Sequence, residues 1–180
     1  SYAYSEAWGQ INFSYISIKD GLSQSTVFSI AQDKLGNMWF ATYDGVNKYD
    51  GYAFTVYQHD ENDPNSIAND IARIVMTDSK GRVWIGTLEG LTMFDVSTSR
   101  FVNDIFSTAM HKTIASALYR HGDQIYIGTP SDGMYCYSVP QKKLEKLTYI
   151  PSSKQIQGIL QQSPTRIWVA TEGSGLLLLN

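Results

Sequence analysis

Apolar positions early in this chain come in short bursts with polar punctuation. The bursts are Val27–Gln32, Met38–Thr42, Val46–Tyr49 and Phe54–Tyr57, and the turns between them read DKLG, YDG and DGY. Short runs of this kind bounded by Gly and Asp read as β-strands. The second run, MWFAT, is apolar on both faces, which predicts burial between two layers rather than one face in water. No stretch keeps a 3.6-residue period over about ten positions, so helices are not expected.

The second burst then returns. MWFAT at Met38–Thr42 is followed by VWIGT at Val83–Thr87, IYIGT at Ile125–Thr129 and IWVAT at Ile167–Thr171. Trp39, Trp84, Tyr126 and Trp168 stand 45, 42 and 42 residues apart, and Thr42, Thr87, Thr129 and Thr171 keep the same step. Gly45, Gly90, Gly133 and Gly175 follow in near phase. In-phase copies of a four-stranded unit of about 40–45 residues predict the blades of a β-propeller. The expected fold is therefore all-β, with about four blades of four antiparallel strands. The blades fall at about 26–58, 70–106, 114–150 and 155–180, after a lead-in over 1–10. Trp39, Trp84, Tyr126 and Trp168 are expected to fill the wedges between blades. The small residue before each threonine (Ala41, Gly86, Gly128, Ala170) would let neighbouring blades approach closely. A solenoid of β-α units is the alternative, and the absent helical period speaks against it.

A propeller must deal with its end blades. The last unit runs into GSGLLLLN and reaches Asn180 in phase with Asp50, so the fourth blade lacks its fourth strand. A surplus run, INFSYIS at Ile11–Ser17, precedes the first blade and is expected to act as an outer closing strand. Three arrangements follow: a ring closed on four blades, an arc of a larger ring, or two copies meeting as eight blades.

Composition narrows the class. The 180 residues are 43% hydrophobic and 17% charged, enough to bury one sizeable core. A net charge of -3 argues against nucleic acid as a partner. No run approaches the ~20 apolar residues of a membrane span, so no membrane insertion is expected for this segment. No leader pattern opens the chain, which reads as cytosolic or as a mature segment whose signal has been removed. Cys136 stands alone, which excludes an internal disulfide and a cysteine-built metal site. The 12 Tyr and 4 Trp suit β structure and a sugar-facing surface.

Chemistry is sought where the four copies diverge. In a propeller, the approach to each inner strand lies on the same face as the turn between strands two and three. That face gathers Ser23, Gln24 and Ser25, then Tyr43 with Asp44, Glu89, Ser131 with Asp132, and Glu172. The acidic connection HDENDPNSIAND adds Asn69 and Asp70. Loop mouths of this kind favour ligands. The ligand-binding set is therefore Gln24, Tyr43, Asp44, Asn69, Asp70, Glu89, Asp132 and Glu172. Asp33 and Asp78 are read differently, as carboxylates that cap their own DxxG turns. No metal site is expected: the acidic connection lacks the order of a calcium loop, and His59, His111 and His121 have no partner at metal-binding spacing. No nucleophile turn is present, so no catalytic residue and no cofactor are assigned. Asp44, Glu89 and Glu172 could in principle supply an opposed carboxylate pair, which leaves a polysaccharide lyase or hydrolase as the alternative. The sequon at Asn12–Ser14 is read as chance.

The segment YISIKDGLSQSTVFSIAQDKLGNMWFATYDGVNKYDGYAF, Tyr15–Phe54, resembles the two-component regulator propeller repeat. DENDPNSIANDIARIVMTDSKGRVWIGTLEGLTMFD, Asp60–Asp95, matches the same pattern, while the later units replace the DxxG turn with HGDQ and SPTR. That family is the extracytoplasmic sensor region of Bacteroidetes-type hybrid two-component regulators. The resemblance implies two seven-bladed propellers, a β-sandwich, a membrane helix, and kinase, receiver and DNA-binding modules in the parent. It also implies a periplasmic location, an oligosaccharide ligand and control of polysaccharide-utilisation genes. The implied partners are the remaining propeller and β-sandwich of the same receptor, with a homodimer as a further possibility. This segment would be a non-enzymatic sensor. A non-catalytic protein-interaction scaffold is the remaining alternative.

Overall fold

The computed structural model describes residues 13–103, 114–150, 155–163 and 165–179. They form four antiparallel sheets in chain order. The first holds β1 (Val27–Gln32), β2 (Met38–Thr42), β3 (Val46–Tyr49) and β4 (Phe54–Tyr57). These are the four bursts read from the sequence. The second holds β5 (Ala72–Thr77), β6 (Val83–Thr87), β7 (Gly90–Asp95) and β8 (Arg100–Val102). The third holds β9 (Ala117–His121), β10 (Gln124–Gly128), β11 (Met134–Ser138) and β12 (Lys143–Lys146). The fourth has, among the described residues, three strands, β13 (Gln155–Ser163), β14 (Arg166–Glu172) and β15 (Gly175–Leu179). Each sheet is a simple up-and-down meander.

The sheets stack face to face through three apolar clusters. Trp39 packs with Val75, Val83, Ile85, Phe94 and Phe101 of the second blade. Trp84 packs with Ala115, Ile125, Ile127, Tyr135 and Tyr137 of the third. Tyr126 packs with Ile156, Ile167 and Val169 of the fourth. Each wedge aromatic thus seals its own blade to the next one. Trp39 and Trp84 are fully buried. Trp168, against which no further blade packs among the described residues, is half-buried on a face with the exposed Leu160 and Leu176.

The small residues before the threonines set the spacing. A Cβ built on Gly128 would lie 2.3 Å from Ile156 Cγ2, and one on Gly86 would lie 2.6 Å from Ile74 Cγ2 and 3.0 Å from the Ala115 carbonyl. A side chain at either position would push blades apart. Polar bonds tie the same seams. Ser29 Oγ donates to the Val75 carbonyl at 3.3 Å and accepts from the Val75 amide at 3.1 Å. The Ser116 hydroxyl donates to the Ile156 carbonyl.

One expectation is corrected. Phe13–Ser17, the described part of the run expected to form a closing outer strand, carries no strand pairing; Ile11 and Asn12 lie outside the described residues. Phe13 and Tyr15 are 83% and 94% exposed. The chain turns instead into a short 3-10 segment at Ile18–Asp20, capped by Ser17, whose amide donates to Asp20 Oδ2 at 2.8 Å. The reason is geometric. Among the described residues the main blade contacts run in chain order, first to second, second to third and third to fourth, and no strand pairs with Phe13–Ser17. A strand cannot persist without a partner edge beside it.

Candidate functional site

Strand register brings the four inner-strand approaches and the four β2–β3-type turns to one edge. Val27 pairs with Thr42, Ala72 with Thr87, Ala117 with Gly128 and Gln155 with Glu172. The repeated threonine closes each turn. Thr42, Thr87, Thr129 and Thr171 each donate through Oγ1 to the carbonyl of Gly45, Gly90, Gly133 or Gly175 at 2.8–3.0 Å. The amides of Asp44, Glu89 and Asp132 donate back to the same hydroxyls. The threonine therefore positions the residue at the loop tip, a role its phase alone did not reveal.

The tip residues are tied to neighbours rather than to one another. Asp44 accepts from Gln58 Nε2 at 2.7 Å, and Glu172 accepts from Gln157 Nε2 at 2.7 Å. Glu89 accepts from Asn69 Nδ2 at 3.4 Å, while Asn69 Oδ1 caps the Ile71 amide at 2.9 Å. Asp70 accepts from the His59 amide at 2.6 Å. Asp132 accepts from Lys146 and from the Tyr135 hydroxyl. The Lys146 bond, with help from Tyr135, holds the Asp132 carboxyl below its usual range. Burial, and then the bond to Asp132, push the Tyr135 phenol up to about 12. Gln24 accepts from the Thr26 amide and so spends its carbonyl locally. Ser23 is drawn into the blade by Asn47, which donates to its hydroxyl at 2.8 Å.

Other expectations resolve the same way. Asp33 and Asp78 do cap their turns, each accepting from two backbone amides at 2.9 Å. Each also accepts from the indole Nε1 of its own blade's tryptophan, Trp39 or Trp84, at 2.9 Å. Burial works to raise the Asp33 carboxyl, but the bonds from Trp39, Asn37 and Leu35 outweigh it and hold it below its ordinary value. The acidic connection is a chain of Asx turns, with Asp60 accepting from the Asn62 amide and Asp63 from the Asn65 amide. It is anchored by the buried Ser66 and Ile67. Among the described residues no group of acids, His and Cys could hold a metal ion. His111 lies outside the described residues.

Along this edge lies an open cavity of about 350 Å³, with Phe28, Arg73, Leu88, Ser116 and Gln157 in its walls. Three of these share an origin. The pairing of β1, β5 and β13 skips one residue between Val27 and Ser29, between Ala72 and Ile74, and between Ile156 and Gly158. The residues skipped are Phe28, Arg73 and Gln157. A bulge releases its extra residue from the ladder and re-aims its side chain. Phe28 and Arg73 were not among the residues expected to matter. The signal was present: Phe28, Arg73, Ala115 and Gln157 each stand 11 residues before their blade's wedge aromatic, and they differ completely in chemistry. Tyr43 meets Phe28 edge-on, with ring centroids 4.5 Å apart. Arg73 Cζ lies over both rings, 4.7 Å from Phe28 and 5.4 Å from Tyr43.

With this geometry the chain is a β-propeller arc whose blades converge on one cavity. Residues 21–44 match the Two component regulator propeller family. A 49-residue stretch is 51% identical to Histidine kinase P4 of Formosa agariphila, covering 27% of this chain and 4% of that protein. The extracellular domain of the hybrid two component system BT4673 from B. thetaiotaomicron superposes with a TM-score of 0.73 at 16% identity, over 87% of this chain and 21% of that one. The corresponding domain of BT3049 from B. thetaiotaomicron gives a TM-score of 0.51 at 19% identity, over 93% and 35%. Residues 21–44 thus match the two-component regulator propeller repeat, and the chain shares the fold of the extracellular domains of two hybrid two component systems, while spanning only a small part of the length of each. Among the described residues no helix is long and apolar enough to cross a membrane.

Proposed function

We propose that this arc is part of the periplasmic sensor region of a hybrid two-component histidine kinase and response regulator. It detects an oligosaccharide and controls polysaccharide-utilisation genes. The observation that carries this reading is the convergence of all four inner-strand approaches on one cavity, in a chain bearing the regulator propeller repeat. The arrangement suits recognition better than catalysis. Asp44, Glu89 and Glu172 at the loop tips each accept from a neighbouring side chain, and the Lys146 bond holds the Asp132 carboxyl below its usual range. A general acid would instead need a carboxyl kept protonated near neutral pH. Signalling then rests on differential affinity. A ligand that fits the mouth in one packing of the arc against the rest of its receptor biases the equilibrium toward that packing.

The test is incubation with plant and host glycans, following both binding and cleavage. Binding of an oligosaccharide without turnover is the expected result. Turnover that is lost in Glu89→Gln or Glu172→Gln would overturn the sensor reading in favour of a propeller enzyme.

A further inference from the structure

We propose that the cavity at the centre of the arc binds an acidic sugar, with Arg73 as the residue that recognises its carboxylate or sulfate group. This rests on the oligosaccharide reading above and names the chemistry of the ligand.

Three observations converge. First, the cavity is built by bulges. The same one-residue skip in three blades turns Phe28, Arg73 and Gln157 out of their ladders and into one space. A defect would not recur at one phase in three units, whereas bulges are recurrent devices for aiming side chains at sites. Second, the anions and the cation of this face are in opposite states. Asp44, Glu89, Asp132 and Glu172 each accept a bond from a protein side chain. The Arg73 guanidinium, among the described residues, has no carboxylate within salt-bridge distance. Third, it is held in place without being used up. Its Cζ lies 4.7 Å from the Phe28 centroid and 5.4 Å from the Tyr43 centroid, a cation–π contact that holds the charge beside the cavity while leaving it without an anionic partner among the described residues. A planar guanidinium so placed matches two oxygens of a carboxylate or sulfate at once.

The surroundings suit a sugar. Tyr43, outside the cavity lining, is 43% exposed and offers an aromatic surface beside Arg73. Gln157 and Ser116 line the same space, and the bonds from Gln157 Nε2 to Glu172 and from the Ser116 hydroxyl to the Ile156 carbonyl hold these two walls in place. The volume sits at the small end of those that hold small molecules, so the cavity takes the end of an oligosaccharide rather than a long stretch.

The experiment is calorimetric titration of the full chain with three matched probes: an oligogalacturonate, a sulfated galacto-oligosaccharide and the unsubstituted galacto-oligosaccharide. One or both acidic probes should bind at least about tenfold more tightly than the neutral one, the size of one charge-assisted hydrogen bond. Whichever acidic probe binds identifies carboxylate or sulfate. Arg73→Gln should remove that preference while the chain still unfolds in one cooperative thermal transition, because the side chain is exposed and its loss gives up only the contact with Phe28 and Tyr43. Arg73→Lys should keep only part of it, since an ammonium lacks the fork. Affinity should also fall as salt is raised. Equal binding of neutral and acidic probes, unaltered in Arg73→Gln, would overturn this inference and leave the oligosaccharide sensor standing. Binding of inorganic sulfate as tight as that of the sulfated probe would overturn it too, by removing the sugar from the recognition. Silence with all three probes would overturn it while the wider glycan panel decides the sensor reading.

Discussion

Asp33→Ala should be among the most damaging single changes in the first blade, although Asp33 touches no ligand. Its carboxylate accepts four bonds at 2.9 Å, from the amides of Leu35 and Asn37, from Asn37 Nδ2 and from Trp39 Nε1. Trp39 is 0% exposed and Asp33 is 6% exposed. Water can take over the turn amides near the surface, but it cannot reach the indole N–H. Losing a bond to a charged acceptor costs about 1.5–3 kcal/mol, and leaving a buried donor unpaired costs about 1–3 kcal/mol. These overlap, so the expected loss is about 2–5 kcal/mol, a large part of a domain stability of about 5–15 kcal/mol. Urea unfolding followed by circular dichroism measures it. Asp44→Ala is the control: its carboxylate meets one exposed glutamine, and the change should stay within about 0.5 kcal/mol. The double-mutant cycle isolates the latch itself. Trp39→Phe keeps an aromatic in the wedge but deletes the donor, so Asp33→Ala should cost about 1.5–3 kcal/mol less in that background. Strict additivity of the two changes, or an Asp33→Ala loss no larger than the control's, would refute the account.

The other expectations follow from the same contacts. The Asp33 carboxyl is held below its ordinary 3.8, so the unfolded chain binds its proton first on acidification. Its stabilisation is fully present above that value and is lost as pH falls through the folded-state value, so unfolding between about pH 5 and 2 should be steeper for the native chain than for Asp33→Asn. Gly128→Ala should cost about 1–3 kcal/mol, because its Cβ would sit 2.3 Å from Ile156 Cγ2. Gly158→Ala, whose Cβ would meet only Ala170 Cβ at 3.7 Å, should be neutral; equal melting temperatures for the two would count against close blade packing. The outer face of the fourth blade exposes 59% of Leu160 and 67% of Leu176 beside Trp168. It should drive concentration-dependent association, seen by light scattering and reduced in Leu160→Glu. A strictly monomeric native chain at high concentration would show that this face is not adhesive.

Much of this protein is legible residue by residue. The strand bursts of the first blade, the wedge role of Trp39 and Trp84 and the close approach at Gly86 and Gly128 are all written in phase along the chain. They are legible because alternation and repeat are local properties, and because four copies cancel the accidents of any one. Turn capping by Asp33 and Asp78 is local as well, since its partners lie two to four residues away. The indole bonds were within reach of the same spacing, six residues on, and were missed only because a tryptophan in an apolar run reads as packing alone.

Tertiary structure decided the rest. Whether a carboxylate is free or engaged depends on which side chain the neighbouring strand brings to it, and so Asp132 with Lys146 could not be told from Asp44 with Gln58. A strand at Ile11–Ser17 needed an edge beside it, and the arc provides none along Phe13–Ser17. Arg73 is the clearest case. Along the chain it is one charged residue in an alternating strand. A bulge turns it out of the sheet, and the stacking of two blades lays it over Phe28 and Tyr43, 45 and 30 residues earlier. The repeat alone determined the scaffold, because every blade must satisfy the same packing. The site lies at a repeat position that three blades give to bulged residues of unlike chemistry, and there only the assembled arc shows which side chains share a space.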